Sequence, residues 1–190
     1  MNVIGQIDRE LLVFCNNLGS PQWDGLWVLL TDRLAWIPLY VFFILLMVIR
    51  YRDARVVFTA VLAVVLLITL VDQSLTQVFK PLIKRLRPCH VPELTGQIRM
   101  VLESCGGLYG FFSAHAANSA ALATFGIGAL HRRFPWFSYM LVGYSLLHGY
   151  SRVYLAKHYP TDVLTGWLYG ILLGYGTFLL FNRLIQRWKK

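Results

Sequence analysis

The stretch SRVYLAKHYPTD, residues 151–162, lies between two strongly apolar segments and brings Arg152, His158 and Asp162 together within twelve residues. Charge at such a junction of a membrane protein usually serves a function. If the last helix begins near His158, the four-residue step to Asp162 places the imidazole and the carboxylate on one helical face. The carboxylate would then fix the tautomer of a nucleophilic or basic His. The alternative is an ordinary helix start at Pro160, with the charges anchored at lipid headgroups.

The composition of the whole chain agrees with a membrane location. Of 190 residues, 57% are hydrophobic and only 14% are charged, which is too apolar for a soluble domain of this length. A single integral membrane domain over residues 1–190 is the simplest interpretation. The net charge of +9 is spread between apolar runs, so we expect it to reflect membrane orientation and an anionic substrate, with no nucleic-acid partner. The N-terminus has no basic region, and we expect no cleavable signal peptide.

The N-terminal segment shows apolar residues at roughly helical spacing from Val3 to Leu18, against polar residues that include Asp8 and Asn16. Gly19, Ser20 and Pro21 close this segment. The pattern predicts an amphipathic interfacial helix within residues 1–20. A second short helix is predicted at residues 23–31.

Five apolar segments follow, at residues 30–49, 56–78, 113–130, 136–155 and 163–181. They predict an all-α integral membrane helical bundle with about five to six spanning helices.

Two of these segments carry small residues that favour helix contact. The third is rich in Ala, Ser, Asn and Gly, and the fifth has Gly166, Gly170 and Gly174 four residues apart. The contact could lie within one chain or between two. Residues 80–112, between the second and third segments, form a longer connection than two helices need, and we expect an extramembrane active-site loop there.

Lys and Arg are equally numerous on the two sides of this predicted bundle, so a raw count gives no orientation. Setting Lys80, Arg87 and Arg152 aside as ligand-binding residues tips the balance. The side then predicted to be cytoplasmic carries Arg50, Arg52, Arg55, Arg132, Arg133, Arg183, Arg187, Lys189 and Lys190. The long loop and residues 151–162 share the opposite face.

The first polar cluster on that face is KPLIKRLRP, which contains Lys80 and Arg87. If these two residues flank a bend, both can reach one phosphate, Arg as a planar fork and Lys as a point charge. The alternative is a basic patch that binds anionic headgroups, and we assign Lys84 and Arg85 to such contacts.

The second cluster, Ser113, Ala114 and His115, stands at the predicted start of the third span. A helix N-terminus offers free backbone N–H groups to an anion, and Ser either caps the helix or donates to that anion. His115 could protonate a departing oxygen, or it could be an ordinary interfacial His. The remaining His residues are interpreted as structural.

These residues resemble the three signature motifs of the type 2 phosphatidic acid phosphatase superfamily, in the same order. Residues 80–88 and 151–162 match the first and third motifs at full spacing. The second motif departs, because the usual ProSerGlyHis is PheSerAlaHis at residues 112–115. This change keeps the Ser and the His but alters the turn between them.

The resemblance implies a mechanism. His158 would attack phosphorus to give a phosphohistidine, Asp162 would orient it, and His115 would protonate the leaving group and then activate water. The phosphoryl oxygens would be held by Lys80, Arg87, Ser113, Ala114 and Arg152. We expect no metal or other cofactor, since cationic side chains would supply the charge that Mg²⁺ otherwise supplies, and the sequence lacks zinc-type Cys or His spacing.

The function implied is a metal-independent lipid phosphatase of the bacterial inner membrane, with its active site on the periplasmic or outer face. Its partners would be the bilayer and a phosphorylated lipid: undecaprenyl pyrophosphate, phosphatidylglycerophosphate, phosphatidic acid or lipid A. The alternative is a phosphotransferase that passes the phosphate to a lipid hydroxyl. A channel or transporter would be expected to carry charges near mid-membrane instead. The oligomeric state is left open.

Two cysteines flank the predicted phosphate-binding loop. Cys89 follows the first motif and Cys105 precedes the second, on the face where oxidation is permitted. A bridge would tie the two segments together, with two free thiols as the alternative. Cys15 is expected to be free.

Overall fold

The computed structural model describes residues 3–188, and Lys189 and Lys190, which were counted for orientation, lie outside them. The predicted all-α class is confirmed within the described part. Its α-helices are α1 Val3–Asn17, α2 Pro21–Thr31, α3 Ile37–Tyr51, α4 Ala54–Ser74, α5 Lys80–Ile83, α6 Ala114–Leu130, α7 Pro135–Tyr154 and α8 Pro160–Trp188.

The two short N-terminal helices occur as predicted, but the first long span begins later than residue 30. α2 continues to Thr31, and the chain then breaks where the Asp32 carboxylate accepts a hydrogen bond from the Leu34 N–H at 3.0 Å. A single 3₁₀ turn precedes α3. Pro38 lies in the first turn of α3, where its missing N–H costs no helical hydrogen bond.

The second span is longer than predicted. A π-helical turn at Leu75–Phe79 joins α4 to α5, and the helical segment Ala54–Ile83 runs for 30 residues. The predicted loop therefore does not begin at residue 80, and Lys80 lies on a helix. Lys84, with a φ of 52°, ends α5 in the left-handed conformation.

α6 lies at the centre of the bundle, and its small residues allow α8 to approach it closely. A Cβ atom on Gly170 would stand 2.1 Å from the carbonyl oxygen of Ala117, and one on Gly174 would stand 2.5 Å from that of Ala121. A Cβ on Gly166 would stand 2.6 Å from the carbonyl oxygen of Ser113. The glycine series thus makes its close contact within one chain.

Three helical segments of the described residues are long and apolar enough to cross a bilayer: Leu34–Tyr51, Ala54–Ile83 and Pro160–Trp188. The predicted count of five to six is therefore met only roughly. α6, with 17 residues, is enclosed largely by protein, and α7 buries a polar row that includes Ser145, His148 and Arg152. Contacts with neighbouring helices, more than contacts with lipid, therefore explain the small residues of α6 and the buried polar residues of α7. The chain is an integral membrane protein.

Candidate active site

The third motif forms a tight turn between α7 and α8. Ala156 adopts a φ of 51°, and the carbonyl oxygen of Arg152 accepts hydrogen bonds from the N–H groups of Lys157 at 2.9 Å and His158 at 3.2 Å. The last helix does begin near His158, at Pro160, as in the alternative of an ordinary helix start there, so His158 itself lies in the turn before α8. The turn, not a shared helical face, brings the imidazole towards Asp162.

His158 is buried, and its two ring nitrogens face different partners. Nδ1 lies 3.5 Å from Asp162 Oδ2, and the same carboxylate oxygen accepts a hydrogen bond from the Tyr159 N–H at 3.0 Å. On the other side, Arg87 Nη1 lies 3.4 Å from Nε2. Because a guanidinium can only donate, Nε2 must be the acceptor and the neutral ring holds its proton on Nδ1. The Nε2 lone pair is thus directed towards the cations.

The first motif reaches His158 through backbone pairing with the segment that precedes the second motif. Leu86 and Tyr109 form an antiparallel bridge, and the Arg87 N–H donates to the Leu108 carbonyl oxygen at 3.1 Å. At Gly110, a Cβ atom would lie 3.4 Å from both His158 Nδ1 and Asp162 Oδ2. The absence of a side chain at Gly110 lets this backbone cover the His and the Asp closely.

Cys89 and Cys105 form a disulfide in the structure, with Cα atoms 6.1 Å apart, and Cys15 is free. The bond closes the loop from Cys89 to Cys105, with a sequence separation of 16, and the segment leading to Gly110 follows directly after this loop. It thereby holds the end of the first motif against the residues that cover His158.

We expect reduction of this disulfide to destabilise the protein by about 3 kcal/mol, because a loop of this size then gains conformational entropy in the unfolded state. The rate of phosphate release should fall as well, because Arg87 lies two residues before Cys89 and is no longer held by the disulfide. The measurement is the apparent Tm with and without reductant, beside Cys89→Ser and a Cys15→Ser control. An unchanged Tm, with equal thiol labelling in both conditions, would contradict the prediction.

The second motif starts α6 and contacts the third motif directly. Ser113 is fully buried and caps α6, its Oγ accepting from the Ala116 N–H at 3.4 Å. Its own N–H donates to the backbone carbonyl of Asp162 at 2.9 Å. Ala114 and His115 occupy the first turn of α6. The start of α6 and the start of α8 are therefore fixed against each other.

His115 does not stand alone. Its ring centroid lies 5.2 Å from that of His148, edge to face, a contact that no sequence pattern predicts. His148 Nδ1 is 3.4 Å from the Tyr144 hydroxyl, which is 3.1 Å from the Tyr40 hydroxyl. A row of polar groups thus leads from His115 between α3 and α7.

Buried cations surround His158. Arg152, in the last turn of α7, donates through Nη1 to Thr31 Oγ1 at 2.6 Å. The Nε atoms of Arg87 and Arg152 are buried and find no hydrogen-bond partner among residues 3–188. Burial, together with the positive charges of Arg152, Arg87 and Lys80, holds the pKa of His158 well below its usual range. The ring is therefore neutral, and an anion would be stabilised beside it.

Several residues at the site escaped sequence interpretation. Arg85, assigned to lipid headgroups, instead donates to Asp162 Oδ1 at 2.7 Å, because the left-handed turn at Lys84 redirects the chain after α5. Lys84 itself stays exposed. Lys157 is buried and donates to the Ser104 carbonyl, and Thr31 comes from a helix far away in sequence. Lys157 could have been suspected from the sequence, because it is a further cation within residues 151–162.

Comparison with known proteins identifies the family. The family model described as "PAP2 superfamily" matches residues 59–186. A Lipid A 4'-phosphatase of Bacteroides thetaiotaomicron is 36% identical over 186 residues, covering 97% of this chain and 81% of that protein.

Two crystal structures share the fold. One is the transmembrane PAP2 type phosphatidylglycerolphosphate phosphatase from Bacillus subtilis, with a TM-score of 0.67 and 24% identity, covering 98% of this chain and 88% of that one. The other is Aquifex aeolicus LpxE, with a TM-score of 0.63 and 26% identity, covering 88% and 92%. With three motifs converging on His158 and two thirds of the chain matched by one family model, the protein belongs to the PAP2 superfamily.

Proposed function

We propose that the protein is a metal-independent lipid phosphatase that forms a phosphohistidine at His158. The observation that carries this proposal is the buried, neutral imidazole, whose Nε2 faces Arg87 while Nδ1 faces the Asp162 carboxylate. A neutral His with a directed lone pair is a nucleophile. The cations beside it are placed to stabilise the negative charge of the phosphoryl group in the transition state of transfer.

In the first step, His158 Nε2 forms a bond to phosphorus as the bond from phosphorus to the lipid oxygen breaks. His115 gives a proton to that departing oxygen, and Asp162 supports the positive charge that develops on the His158 ring. In the second step, His115 takes a proton from water, and the water oxygen forms a bond to phosphorus as the bond from phosphorus to His158 Nε2 breaks, which releases inorganic phosphate and the neutral His158. The free Nε atoms of Arg87 and Arg152 would donate to the phosphoryl oxygens.

The lipid portion would occupy a cavity of about 380 Å³ that begins at His115 and lies among α3, α4, α6 and α7. An attacking nucleophile and a leaving group lie on opposite sides of phosphorus, so the leaving lipid extends past His115. Aliphatic side chains line much of this cavity, among them Ile44, Val61, Val65 and Ile68. Such a lining suits an acyl chain.

Polar groups at the His115 end of the cavity favour a lipid with a hydrogen-bonding headgroup. Asp72 and Asn118 both line this end; Asn118 Nδ2 donates to Asp72 Oδ1 at 2.8 Å, and Asn118 Oδ1 finds no partner among the described residues. A hydrocarbon there would leave this acceptor unpaired, at a cost of about 1–3 kcal/mol. We therefore propose a lipid A type phosphate monoester as the substrate, in agreement with the name of the Bacteroides relative.

The test is phosphate release by purified protein in detergent with EDTA, from lipid A, phosphatidylglycerophosphate, phosphatidic acid and undecaprenyl pyrophosphate. We expect release without added metal and the highest kcat/KM with lipid A. Activity that is lost with EDTA and restored by Mg²⁺ would contradict the metal-independent mechanism. Phosphate transfer only in the presence of a lipid hydroxyl acceptor would identify a phosphotransferase.

Asn118→Leu should change substrate preference. Removing the amide should lower kcat/KM for lipid A by about 10- to 100-fold, because a hydrogen bond to the headgroup is lost. Undecaprenyl pyrophosphate, whose second phosphate offers no hydrogen-bond donor to Asn118 Oδ1, should be hydrolysed as before. Asn182→Leu, in the last third of α8, is the matched control. Equal losses of kcat/KM with both lipids would show that Asn118 does not hydrogen-bond selectively to the lipid A headgroup.

The pH dependence of kcat/KM should follow the low pKa of His158. The nucleophile is the neutral ring, and its pKa lies well below the ordinary value of 6.5. Lowering the pH through 6.5 should thus leave His158 neutral and active, and its protonation should reduce kcat/KM only at clearly more acidic pH. A pH profile with lipid A measures this. An acidic limb centred at an ordinary His pKa, in a protein that stays folded, would contradict it.

We propose a location in the bacterial inner membrane with the active site on the periplasmic face. The disulfide beside Arg87 supports this, because such bonds persist in oxidising compartments. The loop after α5 and the turn before α8 would then be extramembrane. Reporter fusions after α6 and at the C-terminus test the topology, and a periplasmic signal from the C-terminal fusion would contradict it.

A further inference from the structure

The N-terminal helix α1 buries a carboxylate. Apolar side chains on α1 such as Ile4 and Phe14 are mostly exposed, whereas Asp8 is 2% exposed and shares the buried face with Leu12 and Asn16. The sequence pattern suggested the reverse, with the polar residues facing water. A carboxylate is costly to bury unless charge and hydrogen bonds compensate for the lost water, so the partners of Asp8 indicate why it is there.

Asp8 is paired with the start of α8. Its Oδ1 accepts from the backbone N–H of Thr161 at 2.9 Å, and Oδ2 accepts from the Thr161 hydroxyl and from Arg85 Nη2. Thr161 stands in the first turn of α8, where backbone N–H groups have no helical acceptor. A carboxylate there also interacts favourably with the positive end of the helix dipole. α1 therefore supplies an anionic cap to a helix 153 residues away.

Arg85 connects Asp8 to the catalytic pair. Its Nη1 donates to Asp162 Oδ1 at 2.7 Å and to Thr161 Oγ1 at 2.7 Å, and its guanidinium lies 4.0 Å from the centroid of the Tyr159 ring. With Oδ1 fixed by Arg85, the other oxygen of Asp162 turns to the Tyr159 N–H and to His158 Nδ1. The orientation of this carboxylate thus depends on a cation that Asp8 holds in place.

We propose that Asp8 and Arg85 are positioning residues for Asp162 and His158, and that α1 belongs to the catalytic apparatus. This inference rests on the proposed function, in which His158 is the nucleophile. Asp8 lies outside residues 59–186, the part matched by the family model. Neither side chain touches the Nε2 side of His158, where phosphate would bind. Both act on His158 through the Asp162 carboxylate.

Arg85→Ala should lower kcat by about 10- to 100-fold with little change in KM, because a misoriented Asp162 no longer holds the ring for attack. Added guanidinium ion, which can fill the vacated site, should restore part of kcat. The control is Lys84→Asn, which removes the adjacent exposed charge with a residue that tolerates a positive φ. Unchanged kcat in Arg85→Ala would overturn the proposal, and so would a loss that follows Tm and is not rescued.

Asp8→Ala should give a smaller loss of kcat, and the double variant with Arg85→Ala should lose little more than Arg85→Ala alone, since the two residues act in one network. Glu10→Ala, which removes an exposed acid on the same helix, should be neutral. Losses that multiply would show that Asp8 does not act through Arg85.

A measurement without turnover separates this proposal from the proposed function. In protein labelled with ¹⁵N-His, with signals assigned by His158→Ala, the His158 ring should be a single Nδ1-protonated tautomer. Arg85→Ala and Asp8→Ala should give a tautomer mixture, while Lys84→Asn and Glu10→Ala leave it unchanged. Unchanged ring signals in both variants would overturn the positioning role even if the parent is an active phosphatase. Shifted signals in a protein that hydrolyses no lipid would instead refute the proposed function alone.

Discussion

His158→Ala should abolish lipid phosphate release, with kcat falling by at least about 10⁴-fold, because loss of a covalent nucleophile removes the whole reaction path. The parent protein should also retain ³²P on His158 when it is quenched at alkaline pH during turnover, since a phosphorus–nitrogen bond survives base better than acid. The variant should retain none. His158 lies in the turn between α7 and α8, and Ala keeps its backbone hydrogen bond to the Arg152 carbonyl, so the variant is expected to fold.

The control for this prediction is His131→Ala, which removes an exposed imidazole at the far end of α6. Its kcat should match that of the parent. A His158→Ala protein with normal Tm and substantial phosphate release would show that the nucleophile is another group or water itself. Label found on His115 in place of His158 would reverse the roles proposed for the two residues.

Gly170→Leu should prevent folding, and Gly170→Ala should lower the stability by at least about 3 kcal/mol, or about 6–12 °C in apparent Tm. The reason is the 2.1 Å distance between a Cβ at this position and the carbonyl oxygen of Ala117. Backbone cannot yield as a flexible side chain does, so α8 must move away from α6. That movement separates Asp162 from Ser113, whose backbones are hydrogen-bonded at 2.9 Å, and activity should fall before the protein unfolds.

Gly176→Ala is the matched control, because a Cβ there meets nothing within 4 Å. It should be neutral or slightly stabilising, since Ala is favoured over Gly in a helix interior by about 1 kcal/mol. Apparent Tm in detergent and phosphate release at a temperature below every midpoint provide the two readouts. Equal Tm for Gly170→Ala and Gly176→Ala would contradict the packing that the structure shows.

The motifs could be predicted from the sequence because each carries its residue types at fixed spacing. Alternation of apolar segments placed the three motifs on one membrane face, and the structure does bring Arg87, Ser113 and Asp162 around His158. The long helices and most of their ends could also be predicted, because long apolar runs indicate the helices and Pro or Gly residues indicate where they begin or end.

What the sequence could not give was contact between distant segments. Arg85 and Lys84 are adjacent cations in one basic run, and only the left-handed turn at Lys84 distinguishes the half-buried Arg85 from the exposed Lys84. Asp8 occupies the polar side of an amphipathic pattern, which predicts water as its neighbour. His148 is one of five His residues, and its place beside His115 depends on how α6 and α7 cross. Pairing of this kind is decided by packing, not by local pattern.

The link between Asp8 and Thr161 also bears on the order in which contacts form during synthesis. α1 leaves the ribosome first, yet the partners of its carboxylate are Arg85 and the start of the final helix. Until residue 161 has been made and α8 inserted, Asp8 has no N–H cap to bind and must stay at the aqueous surface. A nascent chain that stops before α8 lacks Asp162 and leaves the Asp8 carboxylate without its Thr161 partner. The full set of partners around Asp8 forms only after α8 has been made.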